Sequence, residues 1–343
     1  MQIKGKRVFV GLSGGVDSAV TAALLKEQGA DIVGVFIKGW YPPGMPCTWS
    51  DDRKDAMRVA AALQIPFHTL DASTEYKQGV IDYLLAEYRA GRTPNPDVMC
   101  NREVKFGAFY RFAKENGADH IATGHYARAQ DGILSRGTDS AKDQSYFLWA
   151  VPKEAIAMTL FPLGEMKKDA TRKLANKYRL PNAVKKDSQG ICFLGSISVD
   201  EFLRMEFSPV PGDAVDTDGA PIGRHGGAIL HTLGARIALA DAPAGPWYVV
   251  RKDIGKNLIV VSKERVLEEA PSGIRLTQAN WFDAVPEGVI QAQFRYHGPI
   301  IDGTWSSERE EFMPSAPLPE PLAPGQSLVL YKDNVVIGGG IIA

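Results

Sequence analysis

The sequence predicts an α/β fold: a doubly wound parallel sheet, followed by a small β-rich central module and a C-terminal β-barrel-like module. Three observations predict it. Strand-like and helical segments alternate through the first half of the chain, as βαβ units require. A glycine-rich turn follows the first strand directly. Near Phe207 the texture changes: glycine and proline become frequent and long helical periodicity stops.

Taken in order, Arg7–Gly11 reads as a strand, residues from about Ser18 to Gln28 as a helix closed by Gly29, and Ile32–Ile37 as a second strand. Helices are expected at about Asp52–Leu63, Glu75–Tyr88 and Glu103–Glu115, with strands at Phe67–Leu70 and His120–Thr123. WYVVRKD and NLIVVSK are the clearest strands of the central module. In Ile290–Tyr296 apolar and polar residues alternate with the period of a half-buried strand. Ser327–Tyr331 and Val335–Ile341 flank a polar turn and read as a hairpin. The five prolines from Pro314 to Pro324 mark a loop. The expected modules are residues 1–206, 207–270 and 271–343.

The 343 residues, 45% apolar and 23% charged, are those of an ordinary globular chain. No apolar run approaches the ~18 residues of a membrane helix, and the N-terminus goes straight into a strand, so a cytoplasmic protein without membrane contact is expected. A formal net charge of −1 means that any nucleic-acid binding must use a local patch. Cys47, Cys100 and Cys192 make neither a disulfide scaffold nor a zinc-ligand pattern. Cys47 reads as structural.

Ligands of doubly wound sheets bind at the carboxyl ends of the strands, where Gly11, Leu12, Ser13, Gly14, Gly15, Val16, Asp17 and Ser18 lie. The glycine spacing does not match the dinucleotide fingerprint, and the lysine of the common phosphate loop is missing. A Ser-Gly-Gly-x-Asp-Ser turn between strand and helix remains. Gly14 and Gly15 would let the backbone approach an anion, the helix N-terminus offers N–H groups, and the Ser13 and Ser18 hydroxyls add donors. Asp17 is odd in an anion site unless Mg²⁺ bridges it to phosphate. Gripping pyrophosphate without clamping the γ-phosphate suits cleavage between the α- and β-phosphates, which adenylates a substrate. A plain tight turn with a helix cap is the alternative.

Cys100 follows the extended lead-in of Pro94 and Pro96. With Asn101 as N-cap of a helix starting near Glu103, and Arg102 adjacent, its thiol would be activated; a structural cysteine is the equal alternative on these grounds. Asp97, three residues away, is a candidate proton donor or acceptor. Cys192 lies between Ile191 and Phe193, which favour burial, and follows Lys185, Lys186 and Gly190, which favour a mobile electropositive loop.

The turn GLSGGVDS resembles that of the PP-loop ATP pyrophosphatases, whose fold is adenine nucleotide alpha-hydrolase-like. Together with AGRTPNPDVMCNREVKF, ATGHYAR, KDQSYFL, KKDSQGICF, PWYVVRKD and IGGGII, the chain resembles the tRNA-specific 2-thiouridylases over essentially its whole length. That resemblance implies ATP-dependent thiolation of the wobble uridine, by adenylation of the uracil 2-oxygen and sulfur transfer from a cysteine persulfide. It assigns ATP contacts to Gly11–Ser18, Ile37 and Gly124. It assigns tRNA contacts to Asn95, Pro96, Asp97, Lys142, Asp143, Gln144, Arg295 and Tyr296. Cys100 is the implied nucleophile and Cys192 the persulfide carrier. The implied partners are tRNA, not DNA, and a protein that donates persulfide sulfur. An iron–sulfur cluster on Cys100, Cys192 and a third ligand such as Asp97 is a variant that is not favoured, because clusters are normally held by four thiolates. A PP-loop adenylating ligase or amidotransferase acting on a small metabolite is the alternative function.

Residues 165–187 carry eight Lys/Arg against three acids. Lys167, Lys168, Arg172, Lys173, Lys177, Lys185 and Lys186 form a candidate RNA patch, with Ala170, Leu174 and Tyr178 expected toward the core and Arg172, Lys173 and Lys177 facing out. Tyr126, Tyr146 and Phe147 are candidates to stack an extruded base, or else ordinary core aromatics. HTLGARIAL, His231 to Leu239, departs from the family's HTLGQRKGL at Ala235, Ile237 and Ala238. Two polar side chains that could hold RNA are absent there.

Overall fold

The computed structural model describes residues 2–42, 49–186, 197–265, 273–284 and 288–343. Strands β1 (Arg7–Gly11), β2 (Asp31–Lys38), β3 (Phe67–Asp71) and β4 (His120–Ala122) belong to one parallel sheet. The hairpin β5 (Ala127–Gln130) and β6 (Ile133–Arg136) then leaves this sheet, and β7 (Thr159–Leu160) returns to it. The order is β3-β2-β1-β4-β7.

Strand alternation makes two cores. Val8, Val10, Ile32 and Phe36 face α1 (Val16–Glu27), α2 (Trp49–Leu63) and helix Lys168–Lys177. Phe9, Val33, Val35 and Ile121 face the helical residues 73–89 and 96–115. Each of these two helical stretches contains a π-helical segment, Lys77–Asp82 and Cys100–Ala108. They meet at Gly79, where a Cβ would come within 2.6 Å of Glu103. A wide π turn inside an α-helix often marks a functional position, and Cys100 opens the second one.

Strands β8 (Gly212–Val215), β9 (Pro221–His225), β10 (Arg236–Ile237), β11 (Trp247–Asp253) and β12 (Leu258–Ser262) form a second sheet around Trp247, Val249, Ile259 and Val261. The third sheet comprises β13 (Ile274–Trp281), β14 (Ile290–Gln293), β15 (Ile300–Ser306), β16 (Glu311–Pro314), β17 (Ser327–Lys332) and β18 (Val335–Ile342). Because β13 pairs with both β16 and β18, these six strands close into a barrel. The alternation over Ile290–Tyr296 overextends the strand: β14 stops at Gln293, and Arg295 and Tyr296 lie in the turn that follows.

The glycines of IGGGII have a packing cause. A Cβ at Gly338 would meet the Asn280 carbonyl at 2.4 Å, one at Gly339 the Trp149 ring at 3.1 Å, and one at Gly340 the Leu276 side chain at 2.8 Å. Strand β18 is thus pressed between the barrel interior and Trp149 of the first domain. Asn280 donates to the carbonyls of Trp149 and Val151, and β6 adds to the free edge of β18 through Ser135 and Val335.

Candidate active site

A cleft of about 430 Å³ opens at the carboxyl ends of β1, β2 and β4. The Gly11–Ser18 turn except Gly14, together with Ile37, Gly124, Cys100, Lys142, Gln144, Lys168, Lys186 and Tyr296, lines it. In the sequence these residues are scattered over nearly the whole chain.

The turn is built differently from expectation. Gly14 sits at φ +79°, and a Cβ there would strike the Asp52 carbonyl at 2.4 Å. Gly14 therefore serves the approach of α2, not of an anion. The Ser13 and Ser18 hydroxyls are 3.2 Å apart, Ser18 donates to the Gly15 carbonyl, and the Gly15 N–H donates to Ser13. They brace the loop rather than reach outward. Buried Asn182 donates to the Gly14 carbonyl at 2.9 Å, so the segment that precedes Cys192 in sequence helps to hold the turn. Gly124 is fixed by contact with the first turn of α1, where a Cβ would lie 2.8 Å from the Ser18 nitrogen.

Lys168 is the largest correction to the RNA patch. Its ammonium lies 2.8 Å from both Asp17 oxygens, and the side chains are only 14% and 31% exposed. The Tyr126 hydroxyl donates to the same carboxylate and lies 3.0 Å from the Thr171 hydroxyl, from which it can accept. Both Asp17 oxygens are thus engaged, an arrangement that does not fit a magnesium ion held by Asp17. Among the described residues there is no group of three or more His, Cys, Asp or Glu that could hold a metal; of the cluster ligands considered from sequence, they include Cys100 and Asp97.

Other members of the patch also turn inward. Arg172 donates to the carbonyls of Ala183 and Lys185, and Lys185 pairs with Asp52 and Asp55. The buried face of helix Lys168–Lys177 centres on Thr171 and Ala175, with Leu174 and Tyr178 partly buried against the core as expected and Ala170 outside that cluster. Lys167 and Lys173 are exposed, Lys177 pairs with Glu27 at the surface, and Lys186 faces the cleft.

The helix bearing Cys100 starts seven residues before the predicted Glu103. Asn95 is its N-cap, its side chain accepting from the Val98 N–H, and Pro96 occupies the first helical position. Asn101 instead donates to the Phe147 carbonyl. Cys100 therefore sits one turn inside the helix, 6% exposed and among the residues that line the cleft, beyond the first turn in which the helix dipole is strongest. Asp97, three residues earlier in the same helix, is half-buried, and its desolvation raises its pKa against a smaller lowering by Lys105. Cys192 and Cys47 lie outside the described residues.

The tRNA set divides. Lys142, Gln144 and Tyr296 border the cleft; Gln144 also accepts from the Tyr126 N–H, and Tyr296 packs on Phe147 with ring centroids 4.5 Å apart. Asp143 is buried, accepting from the Gly137 and Ser145 N–H groups and pairing with Arg136. Arg295 is exposed and pairs with Glu320. Tyr146 is a core aromatic whose hydroxyl donates to the Ser327 carbonyl.

Two cleft residues escaped sequence reasoning. His125 contacts Phe106 and Phe161, its Nδ1 2.8 Å from the Thr123 hydroxyl, and burial drives its pKa well down, so the ring is neutral. Lys105 lies one π turn after Cys100. Their phrases, ATGHYAR and CNREVKF, carried the signal; neither residue type alone did.

Residues 6–196 match the tRNA methyl transferase HUP domain, 200–263 the tRNA methyl transferase PRC-barrel domain and 271–342 the aminomethyltransferase β-barrel domain. The chain is 45% identical to the tRNA-specific 2-thiouridylase MnmA of Stenotrophomonas maltophilia (strain R551-3), over 98% of this chain and 93% of that one. It is 43% identical to the tRNA-specific 2-thiouridylase MnmA of Serratia proteamaculans (strain 568), over 98% and 97%. This chain belongs to the tRNA-specific 2-thiouridylase family. The namesake of Escherichia coli O1:K1 / APEC is 43% identical over 100% of this chain and 98% of its own. Within this 2-thiouridylase, no helix among the described residues is long and apolar enough to cross a membrane.

Proposed function

We propose that the protein is a tRNA-uridine 2-sulfurtransferase, which uses ATP to replace the 2-oxygen of the wobble uridine by sulfur. One observation carries this reading: a single cleft joins a lysine-free nucleotide turn to a cysteine and a rim of lysines. The domain models have methyl-transfer names, whereas the full-length relatives are thiouridylases; a thiol facing a nucleotide turn favours the second.

ATP takes the Gly11–Ser18 turn, its base against Ile37 and its phosphates at the N-terminus of α1. Lys168 provides the cation that the turn lacks and meets the charge growing on the departing pyrophosphate. Magnesium accompanying ATP is assigned to phosphate oxygens, not to Asp17. Attack of the uracil 2-oxygen on the α-phosphate expels pyrophosphate and leaves an adenylate at C2, which makes that oxygen a good leaving group. A donor protein supplies sulfane sulfur to Cys192. The terminal sulfur of that persulfide attacks C2, and AMP departs with the oxygen. The Cys100 thiolate then attacks the inner sulfur of Cys192, leaving the outer sulfur on the base and a Cys100–Cys192 disulfide. An external thiol returns the two electrons. Asp97 is the proposed proton shuttle for Cys100. Lys142, Gln144 and Tyr296 border the place of the base.

The test is a reconstitution with unmodified tRNA, ATP and a persulfide donor, read by nucleoside mass spectrometry. The reading predicts 2-thiouridine formation that Cys100→Ala and Cys192→Ala both abolish. Pyrophosphate exchange that needs neither RNA nor thiols would instead establish a metabolite-adenylating ligase.

A further inference from the structure

The strap Thr93–Asn95, which leads into the helix of Asp97 and Cys100, is held by the C-terminal barrel. The Thr93 N–H donates to the Pro324 carbonyl at 2.8 Å. The Gln326 amide donates to the Thr93 carbonyl at 2.7 Å and to the Pro94 carbonyl at 3.3 Å. The Asn95 side chain hydrogen-bonds the Tyr146 hydroxyl, which in turn donates to the Ser327 carbonyl. Between these contacts Gly325 sits at φ +92°, and a Cβ there would lie 3.0 Å from both Arg92 and Thr93. Residues Pro324–Ser327 thus engage the strap directly at Thr93 and Pro94, and at Asn95 only through Tyr146. They are themselves tied to β18, the Gly325 N–H donating to the Ile342 carbonyl and the Ile342 N–H to the Gln326 carbonyl.

The strap has no regular structure to fix it. Pro94 has no backbone donor to give, and Asn95 must present its carboxamide oxygen to Val98 to start the helix. Side-chain and carbonyl partners from elsewhere set its course. A second tie, the Thr93 and Thr232 hydroxyls 3.2 Å apart, reaches it from the central module.

We infer that Gln326 is a positioning residue for thiolation: the barrel segment Pro324–Ser327 fixes the N-cap of the catalytic helix, and so the placement of Asp97 and Cys100 against the base. The C-terminal barrel then acts on the chemical step through the strap, besides any contact it makes with RNA. This rests on the proposed role of Cys100. Small misplacements of reacting groups cost rates steeply, whereas losing two neutral, part-buried hydrogen bonds shifts the melting temperature of a chain of this size only slightly.

Three full-length variants test it. Gln326→Glu keeps the shape and removes both donors; Gln326→Ala removes the side chain; Gly325→Ala pushes on the strap from the other side. Two readouts are taken: single-turnover 2-thiouridine formation at saturating tRNA with tRNA affinity measured separately, and the alkylation rate of Cys100 in the free enzyme, located by peptide mass spectrometry. The expected result is a rate about tenfold lower or more, tRNA affinity within about twofold, melting temperature nearly unchanged for the Gln326 variants and lowered for Gly325→Ala, whose positive φ strains any Cβ, and Cys100 alkylated several-fold faster because the helix that carries it is less firmly seated. Unchanged thiolation and alkylation in all three variants overturn the inference. So does weakened tRNA affinity at an unchanged rate, which makes the segment an RNA contact. If the parent enzyme forms no 2-thiouridine, the function fails; the alkylation rates still decide whether the barrel positions Cys100.

Discussion

Substituting Lys168 by Met separates the two roles open to this residue, an RNA-patch lysine and the cation of the nucleotide turn. Its ammonium is 2.8 Å from both oxygens of Asp17. At an effective dielectric of ~20 a pair at that distance has a Coulomb energy of about 6 kcal/mol, most of which is offset by desolvation of two partly buried ions. The net loss of folding stability on Lys168→Met is therefore about 1–2 kcal/mol, a drop of about 1–3 °C in melting temperature. The catalytic loss is larger. Removing one preorganised group that meets developing charge costs about 10²–10³ in rate. The assay is tRNA-dependent pyrophosphate release from ATP in a single turnover, with tRNA affinity measured in parallel. Lys168→Met is expected to slow release about 10²–10³-fold with tRNA affinity nearly unchanged, and Lys168→Arg to recover part of it. Release within about threefold of the parent, or a loss confined to tRNA affinity, refutes the assignment.

Burial raises the Asp97 pKa, so its charged form opposes folding at neutral pH. Asp97→Asn should melt higher than the parent at pH 7–8, with the gap closing on acidification through the raised pKa toward that of the unfolded chain, while thiolation falls about tenfold or more. His231 is held down to about 4, by burial first and then by His225. Stability should thus be full above pH 6.5 and fall as the pH drops toward 4, because only the unfolded chain takes up the proton there; His231→Gln should flatten that slope in thermal melts. If exposed Lys167 and Lys173 meet phosphate, changing both to Glu should lower the salt dependence of tRNA binding by roughly 0.7–0.9 log units for each phosphate no longer neutralised. An unchanged slope removes them from the interface.

Four strands of the parallel sheet, β1 to β4, were legible as apolar runs between helical segments; the two-residue β7 was too short to show a pattern. The Gly11–Ser18 turn and both cysteine phrases were legible as phrases. The capping of the Cys100 helix was not: Asn95 and Asn101 are equally good caps in sequence, and the choice depends on the Phe147 carbonyl, 46 residues away, that claims Asn101. The inward turn of Lys168, Arg172 and Lys185 was hidden likewise, since a charge run reads as solvated unless its acidic partners, here Asp17, Asp52 and Asp55, are placed in space. The hairpin β5–β6 was missed because strands of four residues acquire their meaning only from a distant edge strand.

That hairpin has a bearing on how the molecule is divided. Three successive domain models would have the chain cut near residue 270 into an enzyme and an appendage. Such a cut takes away the neighbour of β6 and bares the Trp149 face that Gly339 covers. The remaining piece would present an unpaired strand beside an uncovered indole, a surface prone to self-association. Excising the barrel to ask what it contributes to RNA affinity therefore confounds that question with solubility, and point changes along the seam are the cleaner instrument.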